Sequence, residues 1–289
     1  MKQIADEAIK MSPSMFYQDL GLLQHPDTGM PVPDLTVYQK HVWELGYRWK
    51  YRLTLKSQKI GISTSSLMED FQVALGRARG KEILLIAQTL GHAKEHLYTL
   101  RKILLNSPKY SEFMISEPTK LLLRDEVTKV MMLYLENPDN LNKPTRIIGL
   151  GPKEGGVWSW KEVEHIHFSD ITAASVKDDS GLFGAAFSRL ANTNGSMHIE
   201  TPPKGQLKSV WSLYQQAELK NADEQHEAAK FKVTKIHVRE AVQAGLITDE
   251  FLESERIRLG PQYAEKYECY DDETELLTNH GFKLFENLT

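Results

Sequence analysis

Short apolar runs alternate with amphipathic segments from about residue 35 onward. Strand-like runs lie at residues 51–55, 83–87, 145–150, 163–168 and 196–201. Segments with helical spacing lie at residues 65–75, 91–105, 182–190, 207–220 and 250–259. The run at 83–87 reads Ile-Leu-Leu-Ile-Ala, which is typical of a strand buried on both faces. The alternation predicts an α/β fold with a mainly parallel central sheet flanked by helices.

The composition is that of an ordinary globular protein, with 289 residues, 41% hydrophobic and 26% charged. No apolar run approaches the roughly 20 residues that span a membrane, and the N-terminus lacks a signal-peptide core, so we expect neither membrane association nor secretion. A single cysteine excludes an internal disulfide framework and fits a reducing cytosol. The net charge of −4 gives no overall basic surface, so nucleic acid must be contacted by a local patch or another domain.

Residues 56–64 have the composition of a phosphate-binding loop. They lie between a predicted strand and a predicted helix and contain Gly61, Ser63 and Thr64. Such a loop aims backbone N–H groups at one point, and the helix N-terminus adds partial positive charge. A hydroxyl of Ser63 or Thr64 can then hold Mg²⁺.

The loop departs from the standard pattern G-x-x-x-x-G-K-[ST]. Lys56 stands where the first glycine is expected, and Ile62 stands where the lysine is expected. Because a loop that curls around phosphates brings its first and last residues to the same space, Lys56 can supply the missing cation. The alternative is an ordinary helix cap with no ligand.

A second candidate lies at Ser169 and Asp170, after the strand-like run at 163–168. ATP hydrolysis needs an acid that orients Mg²⁺ and a group that polarises the attacking water. Ser169 takes the metal-side place and Asp170 that of the catalytic acid, unless Asp170 serves the metal alone and leaves the base unassigned. An Asp-containing turn after a strand is the structural alternative. His165 and His167 share a face and suggest a metal pair, but no third ligand has a convincing spacing.

The third candidate is the segment 200–205, Glu-Thr-Pro-Pro-Lys-Gly. A polar residue at a strand tip followed by Pro-Pro and Gly makes a stiff, exposed turn. In a nucleotide motor this position can sense whether the γ-phosphate is present, whereas in other proteins it is simply a turn.

Taken together and in this order, these segments resemble the ATPase domain of the viral large terminase subunit, the DNA-packaging motor. Gln39 matches the glutamine that reads adenine, and residues 56–63 resemble a Walker A motif whose lysine has moved to the start. Residues 168–171 occupy the Walker B position, and residues 200–205 resemble the coupling motif. The similarity covers roughly residues 35–267.

The resemblance implies a P-loop NTPase of the RecA-like (ASCE) type that hydrolyses ATP with Mg²⁺ to drive double-stranded DNA into a capsid. It implies that Lys56, Asp170 and Thr201 are catalytic, with Thr201 coupling hydrolysis to movement. It implies that Ser63, Ser169 and Asp170 hold the metal. The residues expected to bind ATP are Gln39, Lys56, Ser57, Gln58, Lys59, Ile60, Gly61, Ile62, Ser63 and Thr64.

The resemblance also implies partners: a capsid portal, a small terminase subunit and sister copies in a ring, acting in the host cytoplasm and transiently on the capsid. A helicase-like nucleic-acid ATPase and a decayed nucleotide-binding remnant are the alternatives. A helicase needs a second RecA-like lobe with its own arginine finger, for which the residues between Thr201 and Glu268 are too few. The altered Walker motifs motivate the remnant.

Four parts are expected: an N-terminal segment at 1–34, the ATPase core at 35–222, a linker or lid at 223–268 and a tail at 269–289. The family's nuclease domain is not recognisable. The tail instead resembles the first block of an intein, in which the Cys269 thiolate attacks the preceding carbonyl. A free structural cysteine before an acidic hairpin is the alternative. If the intein is split, co-expression with a partner carrying its remainder and the nuclease should yield a ligated product, whereas persistently separate chains would argue against splicing.

Overall fold

A computed structural model of the chain describes residues 1–21, 34–115, 123–125, 130–172, 179–202 and 231–268, with the separate positions 176, 210, 212–214 and 217. The helices and strands of these residues are, in order, α1 (Lys2–Ala8), α2 (Pro13–Asp19), α3 (Val37–Arg48), β1 (Tyr51–Lys56), α4 (Ile62–Leu75), β2 (Glu82–Ala87), α5 (Leu90–Asn106), a short 3-10 helix (Ser111–Phe113), β3 (Leu123–Asp125), β4 (Val130–Leu135), β5 (Thr145–Leu150), α6 (Glu154–Trp158), β6 (Val163–Ser169), α7 (Asp179–Thr193), β7 (Ser196–Thr201), β8 (Phe231–Ile236), α8 (Val238–Gln243), α9 (Asp249–Leu259) and α10 (Gln262–Tyr267).

The strands form one eight-stranded sheet in the order β3-β4-β5-β2-β6-β7-β1-β8. It is parallel from β5 to β8, and β3 and β4 add an antiparallel edge. The predicted α/β fold with a mainly parallel sheet is therefore confirmed. Because parallel strands point the same way, the carboxyl ends of β1, β6 and β7 meet at one edge of the sheet, where ligands of such sheets bind.

Helices bury both faces of the sheet. Along β2, Ile83 and Leu85 pack into the core shared with α1, α2, α4 and α5, while Leu84 and Ile86 pack into the core on the opposite face. The four side chains are fully buried, as expected of a central parallel strand with helices on both sides. Each contributes roughly 1.5–3 kcal/mol by leaving water. Helices α1 and α2 of the predicted N-terminal segment thus share the core of the sheet.

The structure includes residues 231–236 of the predicted linker or lid in the sheet. Strand β8 pairs with β1 along its whole length, from Tyr51 opposite Phe231 to Lys56 opposite Ile236. Only the two ends of β8 are buried, because it is an edge strand, and its sequence therefore has no continuous apolar run. The expected domain boundary at 222 and most of the predicted helix at 207–220 lie outside the described residues.

Helices α8 to α10 follow β8 and form a third apolar cluster with α3 and the loop after β1. This cluster includes Tyr38, Ile60, Ile62, Leu252 and Tyr267. The C-terminal helices are thus packed directly against the candidate phosphate loop. Within the described parts of the chain, every helix is too short or too polar to cross a membrane.

Candidate nucleotide site

The loop between β1 and α4 has the backbone of a tight turn that depends on glycine. Gly61 is the N-cap of α4 and has φ of +77°, and Lys59 has φ of +61°. A Cβ added to Gly61 would lie 2.5 Å from Nε2 of Gln39, so the amide of Gln39 packs directly against the turn. Gln39 is thereby placed beside the loop, as the resemblance implies, and its contact with adenine stays a prediction.

The first residues of the loop are fastened to elements that follow it in the chain. The Ser57 amide donates to the carbonyl of Ile236 at 3.1 Å, and the Gln58 amide donates to the carbonyl of Lys266 at 2.7 Å. The Ser57 hydroxyl donates to the carbonyl of Tyr267 at 2.6 Å. These two residues therefore connect β8 and α10 to the loop, and the Ser57 hydroxyl is turned away from the cavity that the loop faces.

The Lys56 side chain contacts Asp170, the acid predicted after the strand at 163–168. Its Nζ lies 2.6 Å from Oδ1 of Asp170 and 3.9 Å from Oε2 of Glu200. The Ser63 hydroxyl lies 3.1 Å from Oδ2 of Asp170 and 3.0 Å from Oε2 of Glu200. Burial alone would raise the pKa of Asp170, but the Lys56 ammonium, together with the Ser63 hydroxyl and His96, holds that pKa below its usual value.

A cavity of about 530 Å³ opens above these groups. The loop supplies one wall, and Gln88, His92, Glu95 and His96 supply the opposite wall at the start of α5. Ten of the fourteen lining residues are ones that the sequence predicts to bind nucleotide or metal: Lys56, Gln58, Lys59, Ile60, Gly61, Ile62, Ser63, Thr64, Ser169 and Asp170.

Two predicted residues contact other protein groups in this structure. The Ser169 hydroxyl pairs with Nε2 of His96 at 3.2 Å. The Thr201 hydroxyl donates to the carbonyl of Ile171 at 2.8 Å, which links the end of β7 to the residue after Asp170. The metal role of Ser169 and the coupling role of Thr201 therefore stay predictions, and Cys269 lies outside the described residues.

The structure adds Glu200, whose importance the sequence analysis missed. Its side chain is fully buried, with Oε1 3.1 Å from Nε2 of His167. Nδ1 of His167 in turn lies 2.7 Å from Oδ2 of Asp70 on α4. Burial alone would lower the pKa of His167, but the two carboxylates outweigh it and raise that pKa to about 10. Burial would likewise raise the pKa of Glu200, but His167, together with Lys56 and His198, lowers that pKa to about 2.

A signal for this cluster was present in two strands. Polar and apolar residues alternate in β6 at His165 and His167, and in β7 at His198 and Glu200, so each strand has one polar face. The register places His167 opposite His198. Matching polar faces on two buried strands indicate a charged layer between sheet and helix, but only the strand order shows that these strands are neighbours.

The histidine metal pair considered from sequence is not the grouping that the fold makes. His165 lies 3.3 Å from Oδ1 of Asp70 and 2.6 Å from the Ser196 hydroxyl. Ligand atoms of His167, His198 and Glu200 instead lie within 4.8 Å of one another. The hydrogen bond between His167 and Glu200 accounts for this cluster without an ion.

The fold is similar to those of phage large terminase ATPase domains. The ATPase domain of the Thermus phage P74-26 large terminase gives a TM-score of 0.57 at 14% identity, over 89% of this chain and 98% of that one. The HK97 bacteriophage large terminase gives 0.58 at 11% identity, over 87% of this chain and 54% of that one. The large terminase of the thermophilic bacteriophage D6E in complex with ADP gives 0.53 at 10% identity, over 80% and 52%.

At these identities the similarity establishes a shared RecA-like fold. The chain spans about half the length of the HK97 and D6E proteins. No protein-family model matches the sequence, and no curated protein matches it significantly.

Replacing Gly61 with alanine tests the backbone of the loop. The left-handed φ costs an alanine about 1–2 kcal/mol, and its methyl group would also press on Gln39. We therefore expect Gly61→Ala to lower the free energy of unfolding by at least that amount in urea titrations. Gly184→Ala is the matched control, because Gly184 lies in α7 with open space around it and should be stabilised by roughly 0.5–1 kcal/mol. Equal effects of the two substitutions would contradict this account of the turn.

The pH dependence of stability tests the charge state of His167. An unfolded histidine titrates near pH 6.5, whereas the pKa of His167 is raised to about 10. Its stabilisation is therefore complete below pH 6.5 and is lost as the pH rises towards 10. The lowered pKa values of Asp70 and Glu200 affect stability only in acid. We expect the free energy of unfolding to fall between pH 7 and 10, by at most about 1.4 kcal/mol per pH unit, and to fall less in His167→Gln.

Urea titrations at successive pH values between 7 and 10 measure this slope. His41→Gln, at an exposed position on α3, is the control and should keep the wild-type slope. Parallel curves for the wild type and His167→Gln would show that His167 is not a buried cation.

Proposed function

We propose that the chain is an ATP hydrolase and the ATPase part of a terminase large subunit, which powers the packaging of double-stranded DNA into a capsid. The observation that carries the proposal is the convergence of Lys56, Ser63 and Asp170 on one cavity at the carboxyl edge of the sheet. The cation, the hydroxyl and the carboxylate are the groups that ATP hydrolysis requires, and they come from separate parts of the sequence.

The donor atoms in this cavity fit Mg²⁺. The Ser63 hydroxyl and the Asp170 carboxylate are hard oxygen donors that already lie 3.1 Å apart, and Mg²⁺ prefers oxygen ligands shared with substrate phosphates. We assign the metal to these two residues, with Ser169 as a further hydroxyl on the same wall. Mg²⁺, when bound, supplies positive charge that offsets the charge of the phosphates.

Lys56 supplies the second positive charge by changing partners. Its ammonium pairs with Asp170 here, and its long stem allows the same group to reach a phosphate placed in the curl of the loop. This exchange releases Asp170 from its ion pair at the moment when the nucleotide needs a carboxylate nearby. The N-terminus of α4 and the loop amides that face the cavity add partial positive charge at the same point.

Thr201 offers a route from the nucleotide to the rest of the fold. Its hydroxyl holds the carbonyl of Ile171, so a displacement of Asp170 is passed to the tip of β7. The packing of α8 to α10 against the loop offers a second route through Ser57 and Gln58. These contacts support the proposed coupling of hydrolysis to movement.

The similar structures support a nucleotide as the ligand, since the D6E large terminase has been determined with ADP and with ATP-gamma-S. By the same similarity we propose double-stranded DNA, a portal, a small subunit and sister copies in a ring as partners, in the host cytoplasm and on the capsid. The helicase and remnant alternatives have less support, because the altered motifs still assemble a complete set of charges. The intein interpretation of Cys269 stays a prediction from sequence.

Removal of the cation tests the proposed function. We expect the wild-type chain to bind Mg·ATP in calorimetry and to release phosphate slowly in a single-turnover assay. Lys56→Ala should lower the hydrolysis rate at least about 100-fold, the usual loss on removing one electrostatic contact to the reacting group.

Lys81→Ala is the matched control. Lys81 also forms a 2.7 Å ion pair, with Glu164, but this pair lies at the amino ends of the strands, away from the cavity. Lys81→Ala should leave hydrolysis unchanged. A wild-type chain that binds no ATP at millimolar Mg·ATP, or a Lys56→Ala variant with wild-type activity, would rule out the proposal.

A further inference from the structure

We propose that Glu200 is the second catalytic carboxylate, which holds the attacking water, and that His167 is the residue that positions it. The inference rests on the proposed ATP hydrolysis and names a residue that neither the loop pattern nor the Ser169-Asp170 pair supplies. It assigns Asp170 to the metal and Glu200 to the water.

Asp170 and Glu200 both contact the Ser63 hydroxyl, with Oδ2 of Asp170 at 3.1 Å and Oε2 of Glu200 at 3.0 Å. They differ in that Asp170 lines the cavity and its Oδ1 holds the Lys56 ammonium at 2.6 Å. The Ser63 hydroxyl is the oxygen expected to bind Mg²⁺, so we place Asp170, the acid that lines the cavity with it, on the metal side of the site. Hydrolysis also needs a group that orients water, and the preceding residue, Ser169, has no charge with which to do so.

Glu200 lies where such a group is needed. It is the second-last residue of β7, which lies between β1, the strand that leads into the loop, and β6, the strand that immediately precedes Asp170. Glu200 lies directly behind the residues that line the cavity: its Oε2 is 3.0 Å from the Ser63 hydroxyl and 3.9 Å from Nζ of Lys56, which both belong to the lining. When the Lys56 ammonium moves to a phosphate, it uncovers this oxygen.

The other oxygen of Glu200 is fixed from below. Both ring nitrogens of His167 face carboxylate oxygens, with Nε2 3.1 Å from Oε1 of Glu200 and Nδ1 2.7 Å from Oδ2 of Asp70. Both carboxylates and the imidazole are buried, so each charge needs the next one as its partner. The row Asp70, His167, Glu200 therefore fixes the carboxylate plane and turns Oε2 towards the Ser63 hydroxyl, the partner that it exchanges for water in the proposed reaction.

The step balances as a simple displacement. The water oxygen forms a bond to the γ-phosphorus while the bond from that phosphorus to the bridging oxygen breaks, and its electron pair stays with ADP. Glu200 accepts a hydrogen bond from the water, and both protons of the water end on the released phosphate. No other reactant is consumed.

Glu200→Gln tests the proposal, because glutamine has nearly the same shape but no charge. Single-turnover hydrolysis should slow by about 100-fold or more, the usual contribution of an acid-base group. The dissociation constant of Mg·ATP, measured by calorimetry, should stay within about threefold of wild type, since the proposed role is confined to the reaction. Glu164→Gln is the control, because Glu164 is also a buried strand glutamate but pairs with Lys81 at the far edge of the sheet.

The Glu200→Asp variant keeps the charge and guards against misfolding of the glutamine variant. Its carboxylate falls short of the water, so the rate should fall with ATP affinity retained. If the wild type hydrolyses ATP and both Glu200 variants hydrolyse it equally fast, this inference is wrong while the proposed function stands. If both variants lose ATP binding together with hydrolysis, Glu200 is a binding residue and the catalytic assignment is wrong. If the wild type itself does not hydrolyse ATP, both proposals fail.

Discussion

A row of charges of alternating sign, buried except for the half-buried Asp170, extends to the floor of the cavity. It runs from Asp70 through His167, Glu200 and Lys56 to Asp170. Two carboxylates that meet at one hydroxyl repel each other by about 4 kcal/mol at 4 Å, even with an effective dielectric constant of 20. The cations on either side of Glu200 offset that repulsion. Without them Glu200 and Asp170 could not both stay ionised, and the site would lose one of its acids.

This arrangement gives the row a fixed end and an exchangeable end. His167 is enclosed between two strands and a helix, so its side chain cannot exchange its two carboxylate partners for others. Lys56 lines the cavity, and under the proposed function its flexible stem takes the ammonium from Asp170 to an incoming phosphate. On that proposal, binding of a nucleotide changes the pairing at one end of the row, while the other end holds the carboxylate of Glu200 in place.

Much of the fold follows from local patterns, and the candidate site follows from them only in part. The run at 83–87 and the helix after Gly61 could be predicted because their signals lie within one segment. The meeting of Lys56 with Asp170 was also predictable, because carboxyl ends of parallel strands share an edge. Strand β8 was not, since an edge strand buries too little to show an apolar run.

The role of Glu200 could not be predicted from sequence, for a different reason. It sat within a segment recognised as a turn motif, and its meaning depends on His167, which belongs to another strand. No spacing along one chain segment reports that β6 and β7 are neighbours in this register. Sequence patterns report the faces of a strand, but only the sheet order reports which faces meet.

The sheet also explains how a site can keep two acids when one of the usual positions holds serine. Adjacent parallel strands lie about 4.8 Å apart, which is less than the reach of a glutamate side chain. An acid at the tip of β7 can therefore approach the same hydroxyl as an acid at the tip of β6, and the 3.0 Å and 3.1 Å contacts of Ser63 show that both do. An acid on β7 needs a different partner from an acid that follows β6. Its carboxylate is buried inside the protein, so a buried cation must lie next to it. His167, one strand away and held by Asp70, is that cation. Glu200 and His167 thus stabilise each other: each is a buried charged side chain, and each supplies the opposite charge that the other needs.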